Sequence, residues 1–167
     1  AAIRARLASI GISAGKSVNF KELSPEQKAA IVQGMKPVAL TAGTKLINLV
    51  PDDLVVFADS SLLRRVFQNL ISNSIKYSPG GEVRISGRLN EAEGTIACWV
   101  ADTGTGIPAD RLEKVFEKGE GDPDREDSTG LGLAIVKRFV EAHGGEVHAE
   151  SPEGHGTTIR FTLPASK

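Results

Sequence analysis

Ser60-Ser61-Leu62-Leu63-Arg64-Arg65-Val66-Phe67-Gln68-Asn69-Leu70-Ile71-Ser72-Asn73-Ser74-Ile75-Lys76-Tyr77 is the stretch from which the fold is read. Leu63, Val66, Phe67, Leu70, Ile71 and Ile75 recur at steps of three and four, the spacing of a helix that lays one face on a core. At about 100° per residue, Asn69, Asn73 and Lys76 fall in a narrow stripe beside that face, roughly 6 Å apart at the i, i+4 step. Two amides and an ammonium therefore point the same way.

Asparagine is a poor helix-interior residue because its amide competes for backbone hydrogen bonds, so two of them one turn apart call for a reason. A magnesium-bound phosphate supplies one. The Asn carbonyl is a hard, neutral oxygen ligand suited to Mg²⁺, and Lys76 beside it would neutralise phosphate charge. A solvated polar edge accounts for the same pair without a ligand, and the helix alone does not choose between the two.

Upstream, residues 1 to 17 read as a helical tail and linker, stopped around Gly11 and Gly15. Gly11-Ile12-Ser13-Ala14-Gly15-Lys16-Ser17 approaches a phosphate-binding P-loop, but has three residues between its glycines where that loop needs four, and no apolar strand before it. It is set aside. Ser17 to Leu23 alternates like a strand, and Ser24-Pro25-Glu26-Gln27 caps a helix expected to run to about Ala42-Gly43. Residues 45 to 50 and 54 to 58 read as strands before the Asn-bearing helix. After it, strands are expected at 82 to 89, 95 to 101, 146 to 151 and 157 to 163, and helices at 109 to 117 and 131 to 143. Gly144-Gly145 stops the last helix, with His143 as its C-terminal cap, and Trp99 and Phe161 read as core. The mix implies a sheet covered on one face by helices.

With 167 residues, 40% of them hydrophobic, the chain suffices for one domain, expected over 18 to 167 after the tail at 1 to 17. Twenty basic against 21 acidic residues advertise no polyanionic partner, so nucleic acid is not expected. Cys98 is the only cysteine, which leaves neither a disulfide framework nor a cysteine-based zinc site and fits a cytoplasmic setting. His143, His148 and His155 show no metal-ligand spacing. No run approaches the roughly 18 apolar residues of a membrane span, and the opening residues do not form a secretory signal. The sequence begins without Met and is expected to be part of a longer chain.

Two glycine-rich stretches follow the Asn-bearing helix. Asp102-Thr103-Gly104-Thr105-Gly106-Ile107-Pro108 closes a strand, where glycines permit the close backbone approach that a planar ligand needs. There a carboxylate can accept a hydrogen bond from an exocyclic amine such as adenine N6, although a plain strand-to-helix turn would use similar residues. Ser128-Thr129-Gly130-Leu131-Gly132-Leu133 opens an amphipathic helix whose first amides and dipole offer a phosphate site. The charged segment from Lys118 to Asp127 has no periodicity and reads as a surface loop that can close over a nucleotide.

Together these residues resemble the nucleotide-binding catalytic domain of sensor histidine kinases, in the GHKL ATPase superfamily with its Bergerat-type fold. The resemblance implies an α+β fold, a two-layer sandwich of a mixed, mainly antiparallel sheet with helices on one face. Asn69 to Ser78 looks like the N box, Asp102 to Pro108 the G1 box, Val115 to Lys118 the F box and Thr129 to Leu133 the G2 box. Gly154 to Phe161 resembles the closing glycine turn and strand. These follow the family's order over residues 54 to 164. Arg6 to Lys16 resembles the end of a dimerisation helix and its linker.

The resemblance implies ATP and Mg²⁺ as cofactors, with Asn73 the metal ligand, Asn69 beside the phosphates, Lys76 a phosphate contact and Tyr77 stacked on adenine. Asp102 would read adenine N6, and Gly104, Gly106, Ile107, Arg125, Thr129, Gly130, Leu131, Gly132, Leu133 and Thr158 would complete the nucleotide pocket. Ser128 departs from the glycine usual there, Gly119 from a second aromatic and Gly121 from a basic residue, for which Arg125 is either the substitute or one more solvated charge. Asn69 stands where ATP-hydrolysing relatives carry a glutamate base, which argues for a kinase that spares ATP from water. The implied phosphoacceptor is a histidine on a dimerisation domain, in a homodimer that serves a response regulator. A serine kinase of the anti-sigma-factor type and a non-catalytic nucleotide sensor remain as alternatives.

Overall fold

The computed structural model describes residues 21–22, 24–51, 53–117, 132–152 and 154–165. The tail and linker expected at 1 to 17, the loop from 118 to 127 and most of the second glycine-rich stretch lie outside them.

The Asn-bearing helix is Ser60–Tyr77 (α3), with the bounds that its sequence predicts. Asp59 caps its start, the carboxylate accepting the amides of Ser61 at 2.9 Å and Leu62 at 3.1 Å. Its end is fixed by Ser78, whose hydroxyl donates to the Ser74 carbonyl at 2.6 Å, and by Pro79, before which helical backbone is disfavoured. The buried face holds the six predicted apolar residues and also Leu62 and Ser74.

Five strands form one sheet in the order β2, β4, β5, β7, β6: Lys45–Asn48, Glu82–Asn90, Thr95–Asp102, Thr158–Pro164 and Val147–Glu150. Only β2 and β4 run parallel, so the expected mixed, mainly antiparallel sheet is found. A separate two-stranded ribbon pairs β1 (Lys21–Glu22) with β3 (Phe57–Ala58), antiparallel. The strand expected over 54 to 58 is thus shorter, with Leu54 buried beyond the pairing.

Alternation along β4, β5 and β7 sends Val83, Ile85, Ile96, Cys98, Val100, Ile159, Phe161 and Leu163 to one face, where they meet the helices. Phe67 of α3 meets Phe161 edge-on, ring centroids 5.6 Å apart, and each buried aromatic of this kind contributes about 1.5–3 kcal/mol. Trp99 lies on the opposite face, half-buried, with the guanidinium carbons of Arg88 and Arg160 at 6.0 and 5.8 Å from its ring centroid. It is a platform for two arginines and no member of the core.

Two predicted helices take other forms. The one expected from 25 to about 42 is two, Pro25–Gln33 (α1) and Lys36–Thr41 (α2), broken at Gly34 and restarted with Pro37 in the first turn of the second. Ser24 and Gln27 form the capping box that begins α1. Residues 109 to 117 form successive turns, held by three-residue hydrogen bonds from Arg111 to Pro108, Lys114 to Arg111 and Glu117 to Lys114. The last helix, Gly132–Ala142 (α4), ends as expected, the His143 ring nitrogen Nδ1 lying 2.9 Å from the Phe139 carbonyl oxygen. Among the described residues no helix is long and apolar enough to cross a membrane.

Candidate functional site

The polar stripe of α3 comes out as its periodicity demands. Asn69, Asn73, Lys76 and Tyr77 are half-buried, whereas Ser72 is exposed. From Asn69 to Tyr77 the axis rises about 12 Å, at 1.5 Å per residue. The stripe along that length has two ends with different neighbours.

At the first end stands Gly132, where a Cβ would lie 3.8 Å from the Asn69 carboxamide. The start of α4 and the first Asn thus face each other, with no side chain between them from that position. Leu133 packs on the core. Arg125, Thr129, Gly130 and Leu131 lie outside the described residues.

At the second end β5 delivers Asp102, buried, to the C-terminal half of α3. Its Oδ1 accepts the Gly104 amide at 2.9 Å and the Thr157 amide at 3.2 Å, and the Ser74 hydroxyl also donates to the carboxylate. Burial pushes this carboxyl above its usual range, while those three donors pull it back. A carboxylate kept in so dry a place, with its neighbours supplying only N–H and O–H groups, is an acceptor ready for another donor. Gly104 cannot be replaced without movement: a Cβ there would collide with the Tyr77 carbonyl, so the loop passes directly over the end of α3. Thr105 donates its amide to that same carbonyl at 3.4 Å.

The loop is tied on its other side to the connection between β6 and β7. The Ser151 hydroxyl accepts the Ile107 amide at 2.7 Å and donates to the Gly156 carbonyl at 2.7 Å. Gly156, at φ +74°, lies so close that a Cβ would strike the Asp102 carbonyl. Thr157 is the threonine beside Asp102. Thr158 pairs with Ala101 and Glu150, and alternation turns its side chain to the face that carries Trp99.

Sequence reasoning passed over Ser74, Ser151 and Thr157. A serine buried in a helix face that is otherwise apolar was a usable signal for Ser74, since serine there needs a partner. Cys98 plays no part: burial pushes its thiol up to about 12, which leaves it protonated and inert.

A magnesium ion takes hard oxygen ligands. Asn69 and Asn73 offer neutral oxygens one turn apart, the first of them facing Gly132. No cluster of three or more His, Cys, Asp or Glu able to hold a metal occurs among the described residues. The two amide oxygens are of the hard type that Mg²⁺ takes, an ion that keeps several waters and needs one or two protein ligands.

Comparison with known proteins gives concordant matches. Residues 58–167 match the family described as histidine kinase-, DNA gyrase B-, and HSP90-like ATPase. The sensor histidine kinase WalK of Bacillus subtilis is 47% identical over 122 residues, 70% of this chain and 20% of WalK. Histidine protein kinase DivJ of Caulobacter vibrioides is 40% identical over 129 residues, 74% of this chain and 21% of DivJ. The chain thus spans about a fifth of the length of these two relatives. Among solved structures, full-length ShkA in complex with AMPPNP superposes with a TM-score of 0.79 at 27% identity, over 97% of this chain and 34% of that one.

Proposed function

Because this chain belongs to the histidine kinase-, DNA gyrase B- and HSP90-like ATPase family, we propose that it binds Mg-ATP along α3, as the catalytic domain of a sensor histidine kinase. The observation that carries this is the polar stripe of α3 with its two ends: Asp102 against Ser74 at one, and Gly132 over Asn69 at the other. Adenine sits at the first, its N6 donating to the Asp102 carboxylate, with Gly104, Gly106 and Ile107 around the base and Tyr77 stacked on it. The phosphates sit at the second, under the first amides of α4, where Lys76 adds positive charge.

Asn73 would hold the Mg²⁺, with Asn69 beside the phosphates; when bound, the ion offsets charge that develops on the transferred group. The chain's own contribution is to orient. Asn69 carries an amide that takes no proton at neutral pH, so nothing at that position activates water. The γ-phosphoryl group goes to a histidine of a dimerisation domain, and from there to a response regulator. The full-length protein acts as a homodimer on the cytoplasmic side. The names of the two relatives above support histidine over serine as acceptor.

The test has two stages. Calorimetry with ATP at millimolar Mg²⁺ should give saturable binding, and folded protein that gives none refutes the reading. With labelled ATP and a separate dimerisation domain, acid-labile label on histidine is expected; acid-stable label would identify a serine kinase, and no label despite binding a nucleotide sensor.

A further inference from the structure

One hydroxyl joins two segments 44 positions apart in the chain. Ser151, half-buried just after β6, accepts the Ile107 amide at 2.7 Å and donates to the Gly156 carbonyl at 2.7 Å. Its oxygen also lies 3.3 Å from Thr157 Oγ1. Thr157 in turn donates its amide to Asp102 Oδ1 and accepts the Asp102 amide on its carbonyl at 2.8 Å. Asp102, Thr157, Ser151 and Ile107 therefore close a ring that the loop from 102 to 107 completes. Of the side-chain groups on that ring, the Asp102 carboxylate faces the base in the reading above, the Ser151 and Thr157 hydroxyls lie 3.3 Å from each other, and the Thr103 hydroxyl is turned to the Glu82 amide at 3.0 Å.

We propose that Ser151 is a positioning residue for base recognition: by holding Ile107 to Gly156 it sets the aim of the Asp102 carboxylate, and with it the preference for adenine over guanine nucleotides. This rests on the assignment of the Asp102 end as the base pocket. Guanine presents a carbonyl where adenine presents its amine, so a fixed carboxylate acceptor repels guanine and attracts adenine. A carboxylate whose loop can shift loses part of both effects. Phosphate binding, at the Asn69 and Gly132 end, is untouched by this hydroxyl.

The test compares ATP, GTP and inorganic tripolyphosphate by calorimetry with Mg²⁺, in the parent chain and in Ser151→Ala, Ser151→Cys and Ser151→Thr. Removing the hydroxyl should weaken ATP about tenfold, equivalent to about 1.4 kcal/mol, and narrow the ATP to GTP ratio by a similar factor. Tripolyphosphate should bind as before. Cys, a weak hydrogen-bonding group of similar shape, should behave as Ala does, and Thr should restore most of the preference. Unchanged ATP affinity and ratio in both Ala and Cys variants would overturn the assignment, as would an equal loss for ATP and tripolyphosphate, which marks a merely structural role. If Ser151→Ala melts before it can be titrated, the Cys and Thr pair decides by the same criteria. A parent chain that binds tripolyphosphate but no nucleotide preferentially refutes the base pocket itself, and the role of Ser151 falls with it.

Discussion

The Thr157 amide donates to the Asp102 carboxylate at 3.2 Å, joining two residues 55 positions apart at the mouths of adjacent strands. This contact, with the Gly104 amide on the same oxygen, turns an acid that burial disfavours into a fixed acceptor. Burial, which outweighs these donors, sets a pH signature.

A carboxyl raised in the folded state binds more protons there than when unfolded. Its stability contribution is therefore full below the ordinary value of 3.8 and is lost as pH rises through the folded-state value. At neutral pH the ionised Asp102 costs stability. Asp102→Asn should then gain on the parent chain in urea midpoint as pH rises from about 4 to about 7, while ATP affinity drops at least tenfold, about 1.4 kcal/mol. Parallel midpoint curves for the two proteins would show that this carboxyl is not held high.

The cap at Asp59 supports the whole polar stripe, since it fixes the start of the helix that bears it. Asp59→Ala leaves the Ser61 and Leu62 amides without that acceptor and should cost about 1–2 kcal/mol in chemical denaturation. Asp59→Asn should recover most of the loss. Equal losses in both variants would point to the charge rather than the cap.

Gly104→Ala forces a methyl against the Tyr77 carbonyl. Overpacking of that kind costs about 1–3 kcal/mol, and here the backbone must yield, because neither atom belongs to a flexible side chain. Reduced thermal stability together with at least tenfold weaker ATP binding is expected, about 1.4 kcal/mol of affinity. Nucleotide binding that survives at full strength would mean the loop has slack.

How far the sequence reached follows from where its patterns are one-sided. The bounds of α3 were legible because apolar and polar residues separate cleanly around the helix and Pro79 follows closely. Trp99 was misread because Ile96, Ala97, Cys98, Trp99, Val100 and Ala101 are apolar on both faces of β5, so no alternation marks the inward side. Thr157 and Thr158 are adjacent, and a step of one residue changes the face, so residue type alone does not say which one meets Asp102. Residues 109 to 117 carry helical spacing in Leu112, Val115 and Phe116, yet the chain there closes only three-residue hydrogen bonds. Ser74 and Ser151 act through partners remote in sequence: the apolar helix face announces that Ser74 needs a partner, but no local pattern names it, and nothing local marks Ser151.

His143 gives the opposite pH signature to Asp102. Burial lowers it, against the Phe139 carbonyl and the charge of Asp59, and its ring lies 4.3 Å from that of Phe139. A depressed folded-state value means that the unfolded chain takes up the proton first, so stability is full above the ordinary 6.5 and falls as pH drops from there toward the folded-state value. His143→Phe keeps an aromatic ring and cannot titrate. Its urea midpoint should fall less than that of the parent chain between about pH 7 and about pH 5.5. An unchanged slope would assign the acid sensitivity to other groups.

The last expectation concerns what the chain does with ATP when no acceptor is supplied. Phosphoryl transfer needs a nucleophile held in line and close to the γ-phosphate, a geometry worth many orders of magnitude in rate. Water needs a base to take its place, and the Asn69 amide cannot serve. Of the histidines, His143 is buried beside Phe139, His148 lies on β6 near Glu146, and His155 stands in the exposed turn before β7. The chain should therefore bind Mg-ATP without labelling itself or hydrolysing ATP appreciably. Asn73→Ala should lose nucleotide affinity in Mg²⁺ while keeping its fold, and should lose much less in EDTA, where no metal is left to hold. If Asn73 were filler on a polar edge, Ala would be neutral or stabilising by roughly half a kcal/mol through its helix propensity. A steady-state ATPase rate that Asn73→Ala abolishes would mean that a base lies elsewhere, and Glu117, exposed at the end of the Pro108 turns, would be the first described residue to replace.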